Sequence, residues 1–310
     1  MPPAGQAPSK RQLALSWRDE DIISAWTQTP QLKPDGSAVT GFGFPPQQPI
    51  AHVKVGLPHI LQPELRNHEY VLKALRNMPP EQTRGIRIPE VYRTLQSGDW
   101  FYIIMEYIPG KTLQQLADQR DWGESQQKAL TNSIARAMRL LMSIAVPAGQ
   151  TPGPVGGGQI RHPLFKDDSS FCNYLSVDEL EKHLNDAATL RDKTAPTVSL
   201  ERSLCFYYSD FYASNFIFTD SGDVCIIDFD QAGFLPPSFM SFALAESHWA
   251  PGRWVKEVLK LPEHNLPAMK HIHYFFMIGG SSFAMNMLYT WGSGDEIREG
   301  KENGRGGDVT

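Results

Sequence analysis

The sequence predicts an α+β chain of two lobes, a small sheet-containing N-lobe followed by a mainly helical C-lobe. Three observations carry this. Residues 50–55 (IAHVKV) have a short strand pattern, and 64–76 (ELRNHEYVLKALR) follow with Leu65, Tyr70, Leu72 and Leu75 at helix-like spacing among good helix formers. Residues 90–94 and 100–107 (WFYIIMEY), rich in β-branched and aromatic side chains, flank the turn signal Ser97-Gly98-Asp99 and read as an antiparallel hairpin. After Ile108-Pro109-Gly110 the texture turns helical, which places the lobe boundary near Ile108.

The chain is 310 residues long, with 41% hydrophobic, 20% charged and 11% aromatic residues, ordinary globular usage that excludes a mainly disordered, collagen-like or coiled-coil protein. Lysine plus arginine number 29 against 34 aspartates and glutamates, a net charge of −5, so no global basic field exists for nucleic acid or an anionic membrane surface. Cys172, Cys205 and Cys225 form neither a CxxC pair nor a disulfide framework, which points to a reducing compartment. The first residues lack both the basic start and the long apolar run of a secretory signal, so the expected location is the cytoplasm. Residues 274–294 carry no charge over about the length of a bilayer span, but glycines, serines and an asparagine interrupt them, and a buried helix with no membrane partner is expected.

Taken in order, residues 1–49 hold a short helical pattern around Trp17 to Trp26 and a Pro/Gly-rich segment from 29 to 49. The N-lobe spans 50–108 and the helical C-lobe 109–295, and 296–310 form a charged, glycine-rich flexible tail. Within the C-lobe, Thr112 is placed to cap TLQQLADQ, 124–144 is a long amphipathic run, and 146–162 is a Pro/Gly-rich loop read as a flexible connection. A helix is expected at 177–189, two short apolar strands around a polar loop and turn at 203–232, and closing helices from about 239 to 291. No repeat of 20–50 residues is visible.

The chemistry concentrates in 204–237 (LCFYYSDFYASNFIFTDSGDVCIIDFDQAGFLPP). Asp210 is followed five positions later by Asn215 and thirteen further on by Asp228, which ends the apolar strand 224–227. The turn 219–223 (TDSGD) folds Asn215 and Asp228 toward one end of a hairpin, where their oxygens suit a hard cation such as Mg2+ that shares its coordination sphere with phosphates. Asp210, close by, is placed to orient or deprotonate a hydroxyl, the arrangement phosphoryl transfer needs. The bland alternative is an Asp-rich turn with Asn capping it. Other signals lead nowhere. His271 and His273, with His264 nearby, lack a cysteine or acid at ligand spacing, and a helix turns i and i+2 to different faces, so structural histidines are expected. Residues 153–158 (GPVGGG) are followed by Gln159 and Ile160 where a phosphate-binding loop needs Lys and Ser/Thr, and Ser209 has no GxSxG around it.

The D-x4-N spacing followed by IDF resembles the catalytic and metal loops of the protein-kinase-like fold, and IDFDQAGFLPPSF resembles the aminoglycoside phosphotransferase and choline-kinase-like branch, of the fungal-type phosphotransferase enzyme family. The resemblance covers roughly residues 50–291. It implies a protein-kinase-like fold with ATP and Mg2+ between the lobes and transfer of the γ-phosphoryl group to a hydroxyl of a small-molecule acceptor. It further implies Asp210 as base or orienter, Asn215 and Asp228 as metal ligands, and Lys54 as the strand lysine on the α and β phosphates. Glu69, fifteen residues on, would brace that lysine, with Glu64 as rival at a spacing of ten. Met105, Glu106, Tyr107 and Ile108 match the hinge whose backbone reads the adenine edge. GPVGGGQIRHPLF and SVDELEKHLND look like the substrate-lobe insertion of fungal-type members.

Departures accompany the match. The family's His-Gly-Asp is Tyr208-Ser209-Asp210 here, which puts loop geometry and rate in question. The nucleotide-covering loop has a candidate at Asp35 to Gly43 (DGSAVTGFG) but no GxGxxG. Asp230 stands as a second metal ligand, a contact for a cationic substrate, or a plain turn acid. A nucleotide-binding pseudokinase or scaffold is the alternative function. A protein kinase is disfavoured because no APE-like segment or long activation loop follows Asp228.

Overall fold

The computed structural model describes residues 7–33, 36–119, 123–190, 192–247 and 250–278. The tail at 296–310, and all but the first five residues of the uncharged stretch at 274–294, lie outside that set. No described helix is long and apolar enough to cross a membrane.

Two helices rather than one precede the sheet, α1 (Lys10–Ser16), with a Ser9/Gln12 capping box, and α2 (Asp19–Gln28). A four-stranded antiparallel sheet follows, built from β1 (Gly41–Phe44), β2 (Ala51–Gly56), β4 (Val91–Ser97) and β5 (Trp100–Glu106) in the order β1-β2-β5-β4. Its first strand lies on the N-terminal side of the residue-50 boundary read from sequence. Strand β2 alternates strictly. Ala51, Val53 and Val55 point into a core shared with Ala14, Ile22 and Trp26 of the two leading helices, and His52 and Lys54 face the other way.

On that other face lies α3 (Pro58–Arg76), which begins six residues earlier than the sequence pattern indicates. Pro58 occupies the first turn, where a missing N–H costs nothing, and the helix continues through Pro63. This extension puts Leu61 under Phe101, Ile103 and Met105 of the sheet and turns Glu64, Asn67, His68, Val71 and Leu75 inward. A short helix α4 (Pro80–Thr83) and the two-residue strand β3 (Ile86–Arg87) lead back to the β4–β5 hairpin, whose turn carries Gly98 at φ +56°.

The chain then crosses to the larger, helical lobe. After β6 (Lys111–Thr112), Thr112 caps α5 (Leu113–Ala117), and α6 (Glu124–Met142) and α7 (Val177–Ala188) supply inward faces to the main core. The segment 203–232 holds more strands than the pattern suggests: β7 (Cys205–Tyr208), β8 (Phe216–Phe218), β9 (Val224–Ile226) and the start of β10 (Ala232–Leu235). Strands this short, fully buried, offer no alternation to read. β7 pairs with β10, and β8 and β9 form an antiparallel hairpin flanked by β6 and β3. The closing helices are α8 (Pro237–Glu246), α9 (Ala250–Leu259) and helical residues 266–278. This is the two-lobed kinase-like architecture.

The glycine-rich 153–158 segment is fastened rather than loose. Gly153 exchanges backbone hydrogen bonds of 3.0 and 2.8 Å with Phe234, and Arg66 of α3 donates to the carbonyls of Val155 and Gly157. A Cβ at Gly233 would lie 2.3 Å from the Gly153 carbonyl oxygen, so the two segments approach this closely only because Gly233 has no side chain.

His162, fully buried, accepts the Leu164 N–H at Nδ1 (3.1 Å) and donates from Nε2 to the Phe239 carbonyl (3.0 Å), and burial pushes its pKa down to about 3. The unfolded chain takes up this proton near 6.5 and the folded one does not, so stability is lost as pH falls from there toward about 3. Urea melts of the wild type are expected to lose stability more steeply than H162Q between about pH 6 and pH 4, by up to about 1.4 kcal/mol per pH unit. Parallel slopes would show an ordinary histidine. Elsewhere His271 meets the Ala188 carbonyl and His273 the Leu164 carbonyl.

Candidate active site

The cleft between the lobes has a volume of about 400 Å³. Its roof is the outward face of β2, its back the hinge at Met105–Ile108, and its floor the residues around Asp210, Asn215 and Asp228. The β8–β9 register pairs Phe216 with Ile226, and the Ile227 N–H bonds the Asn215 carbonyl at 3.1 Å, so Asn215 and Asp228 emerge together at the open end of that hairpin. A 3₁₀ turn over Ala213–Asn215 brings the Asn215 amide back onto Asp210, donating to its Oδ2 at 2.9 Å and its carbonyl at 3.2 Å.

Lys54 reaches this floor from the sheet. Its Nζ lies 2.7 Å from both Glu64 carboxylate oxygens and 2.8 Å from Asp228 Oδ1. Burial alone would lower the lysine's pKa, but Glu64 and Asp228 outweigh it and hold the ammonium charged. Burial pushes Glu64 up to about 7 against the pull of Lys54.

The sequence expectation of Glu69 as the lysine's brace is corrected here. Glu69 is exposed on the outer side of α3, and the ion pair belongs to Glu64, 2% exposed. With α3 starting at Pro58, Glu64 sits in its second turn and faces the sheet, whereas a helix begun at 64 leaves it at a frayed end.

Asp210 is pushed up to about 7, first by burial and second by the charge of Asp228, with the Asn215 hydrogen bond opposing. Its Oδ1 is buried with no hydrogen-bond partner among the described residues. Asp210 and Tyr212 also line a second pocket of about 220 Å³, on the C-lobe side, with Asp168, Ser209, Gln231 and Glu246. The carboxylate thus stands in the wall between two cavities. Asp230 is held by Arg161 at 2.9 Å.

At the hinge, the Glu106 N–H goes to the Glu90 carbonyl (2.7 Å) and the Tyr107 N–H to the Ile50 carbonyl (3.2 Å). Among the described residues the Ile108 N–H has no such partner, and Ile108 lines the cleft. The Glu106 carboxylate pairs with Arg87 at 2.8 Å.

No group of three or more His, Cys, Asp or Glu side chains among the described residues is arranged to hold a metal ion. One carboxylate and one amide oxygen fit a hard cation that keeps phosphate and water ligands, and do not make an all-protein cage. His52 escaped the sequence reading. It lines the cleft beside Lys54, and burial lowers its pKa to about 4, so it is neutral there. The alternation of IAHVKV puts it on the lysine's face, which was the available signal. Thr40 and Tyr212 carried none.

A nucleotide-sized cleft between lobes, a lysine–glutamate pair on its roof and two acids with an amide on its floor define a kinase-like phosphotransferase class. The chain belongs to the phosphotransferase enzyme family, whose model matches residues 54–270. Solved structures similar to it include a thermostable mutant of aminoglycoside phosphotransferase APH(4)-Ia in ternary complex with ADP and hygromycin B, at 16% identity over 82% of this chain and 88% of that one, TM-score 0.42. Aminoglycoside-3'-phosphotransferase of type VIII matches at 15% identity over 83% of this chain and 98% of that one, TM-score 0.44. The GDP and kanamycin complex of APH(2")-IIia matches at 15% over 80% and 82%, TM-score 0.43. No curated protein matches the chain.

Proposed function

We propose that this protein transfers the γ-phosphoryl group of ATP to a hydroxyl of a small molecule. The observation that carries the reading is the convergence of Lys54, Glu64 and Asp228, 2.7 to 2.8 Å apart although Lys54 and Asp228 are separated by 174 positions, beside a half-buried Asp210 that borders two cavities. Nucleotide in the larger cavity and acceptor in the smaller put the reacting hydroxyl at Asp210. Lys54 would neutralise the α and β phosphates, with Glu64 holding it on station. The unpaired Ile108 N–H would donate to the nucleobase. Asn215 and Asp228 would hold Mg2+, which supplies charge neutralisation at the β and γ oxygens. Asp210 would accept the hydroxyl proton as the acceptor oxygen bonds the γ-phosphorus and the bond to the bridging oxygen breaks, releasing ADP.

Thermal melts with ATP and Mg2+ against a panel of non-nucleotide anions are expected to show stabilisation by the nucleotide alone. ADP release across a panel of hydroxyl-bearing metabolites should then identify an acceptor. Nucleotide stabilisation without turnover on any acceptor is the outcome of the pseudokinase reading, and no stabilisation removes both.

A further inference from the structure

Asp228 is one of four described residues other than glycine with positive φ, at +62°. A left-handed aspartate persists only where its surroundings over-determine it. The surroundings here are specific: buried side chains capture the backbone carbonyls on both sides of it. Tyr208, 0% exposed, donates its hydroxyl to the Ile227 carbonyl at 2.8 Å. Asn67 of α3, also 0% exposed, donates its amide to the carbonyls of Phe229 (3.2 Å) and Ala232 (2.8 Å) and accepts the Val155 N–H at 2.8 Å. Ser209 adds two more bonds, its N–H and Oγ both reaching the Gln231 carbonyl, at 2.9 and 3.1 Å. Phe229 is wedged between the Tyr208 ring (centroids 5.6 Å) and the His68 ring (5.2 Å).

We infer that Tyr208 and Asn67 are positioning residues which, by clamping the carbonyls before and after Asp228, fix the direction in which its carboxylate faces the cation site. Turning Asp228 out of the left-handed region rotates its flanking peptides, so the Ile227 carbonyl leaves the Tyr208 hydroxyl and stands buried without a donor. The clamp also gives the Tyr208-Ser209 pair a task where the family pattern has His-Gly: both residues bond the same loop, at positions 227 and 231. Asn67 lies three residues from Glu64 on the inward face of α3, so the helix that positions Lys54 also positions Asp228.

This inference rests on the proposed use of a cation with the nucleotide, and its test separates the two. In Y208F, hydrogen–deuterium exchange of a peptide covering 228–232 is expected to run about tenfold faster. Mn2+ affinity of the ATP-bound protein, read by electron paramagnetic resonance, should weaken by about tenfold, while metal-free ATP binding stays within about twofold. Y208H, which returns a ring N–H donor, should recover most of both shifts. Asn67→Ala opens the clamp from the other side with the same two shifts and decides the matter if Y208F does not fold. A folded Y208F with unchanged exchange overturns the inference, and so does faster exchange with unchanged Mn2+ affinity. If the wild type binds neither ATP nor Mn2+, the proposed function falls, and exchange alone decides the clamp.

Discussion

Asp210→Ala is expected to lower kcat by about 10³-fold while leaving ATP affinity within about twofold. The asymmetry follows from position. Asp210 borders the smaller pocket as well as the larger cleft, and among the described residues its buried Oδ1 has no hydrogen-bond partner. On the proposed reading an incoming acceptor hydroxyl would donate to this carboxylate, and the contact would be worth most as its proton leaves. The Asn215 amide donates to Oδ2 at 2.9 Å, which fixes the carboxylate plane. Asp210→Asn keeps the shape and loses the basicity, so it should be nearly as slow. Steady-state kinetics with an ATP-displacement titration checks both, and loss of ATP affinity in step with kcat would reassign Asp210 to nucleotide or cation binding.

The second large effect is at the lysine. Lys54→Met leaves Glu64 buried and unpaired and removes the only described side chain that bonds both Glu64 and Asp228, and kcat/KM is expected to fall by about 10² to 10³-fold. Breaking a buried pair by deleting one partner also costs about 3–5 kcal/mol of stability, here moderated because Glu64 can take up a proton. The brace assignment is decided by the two glutamates side by side. Glu64→Gln should lower kcat/KM by about tenfold or more and shift the urea midpoint, whereas Glu69→Gln, exposed on the far side of the helix, should leave both within error. Equal effects, or a larger one at Glu69, would return the ion pair to its sequence-based candidate.

The readability of this site divides along contact range. Asp210, Asn215 and Asp228 are joined by one turn and one hairpin, and the TDSGD signal between two apolar runs is enough to bring Asn215 next to Asp228. Lys54 is equally legible, because strand alternation separates it from Ala51, Val53 and Val55, and the same alternation marks His52. The choice between Glu64 and Glu69 needs the start of α3, and two prolines in PHILQP hide that start by looking like a break. They are tolerated because the first lies in the opening turn and because Leu61, between them, gains burial under the sheet.

Side-chain type and spacing thus carried the fold class, the grouping of Asp210, Asn215 and Asp228, and the strand lysine, since each is an order within a single element or across one short turn. The pairing of Lys54 with Glu64, the wall position of Asp210 between two cavities, and the capture of the Ile227 and Phe229 carbonyls by Tyr208 and Asn67 came from packing. A backbone carbonyl looks the same at every residue, so nothing in a string of side chains records which buried donor it will meet. That is settled when segments 162 positions apart, as Asn67 and Phe229 are, are pressed into one core where an unmet donor or acceptor has no water to turn to.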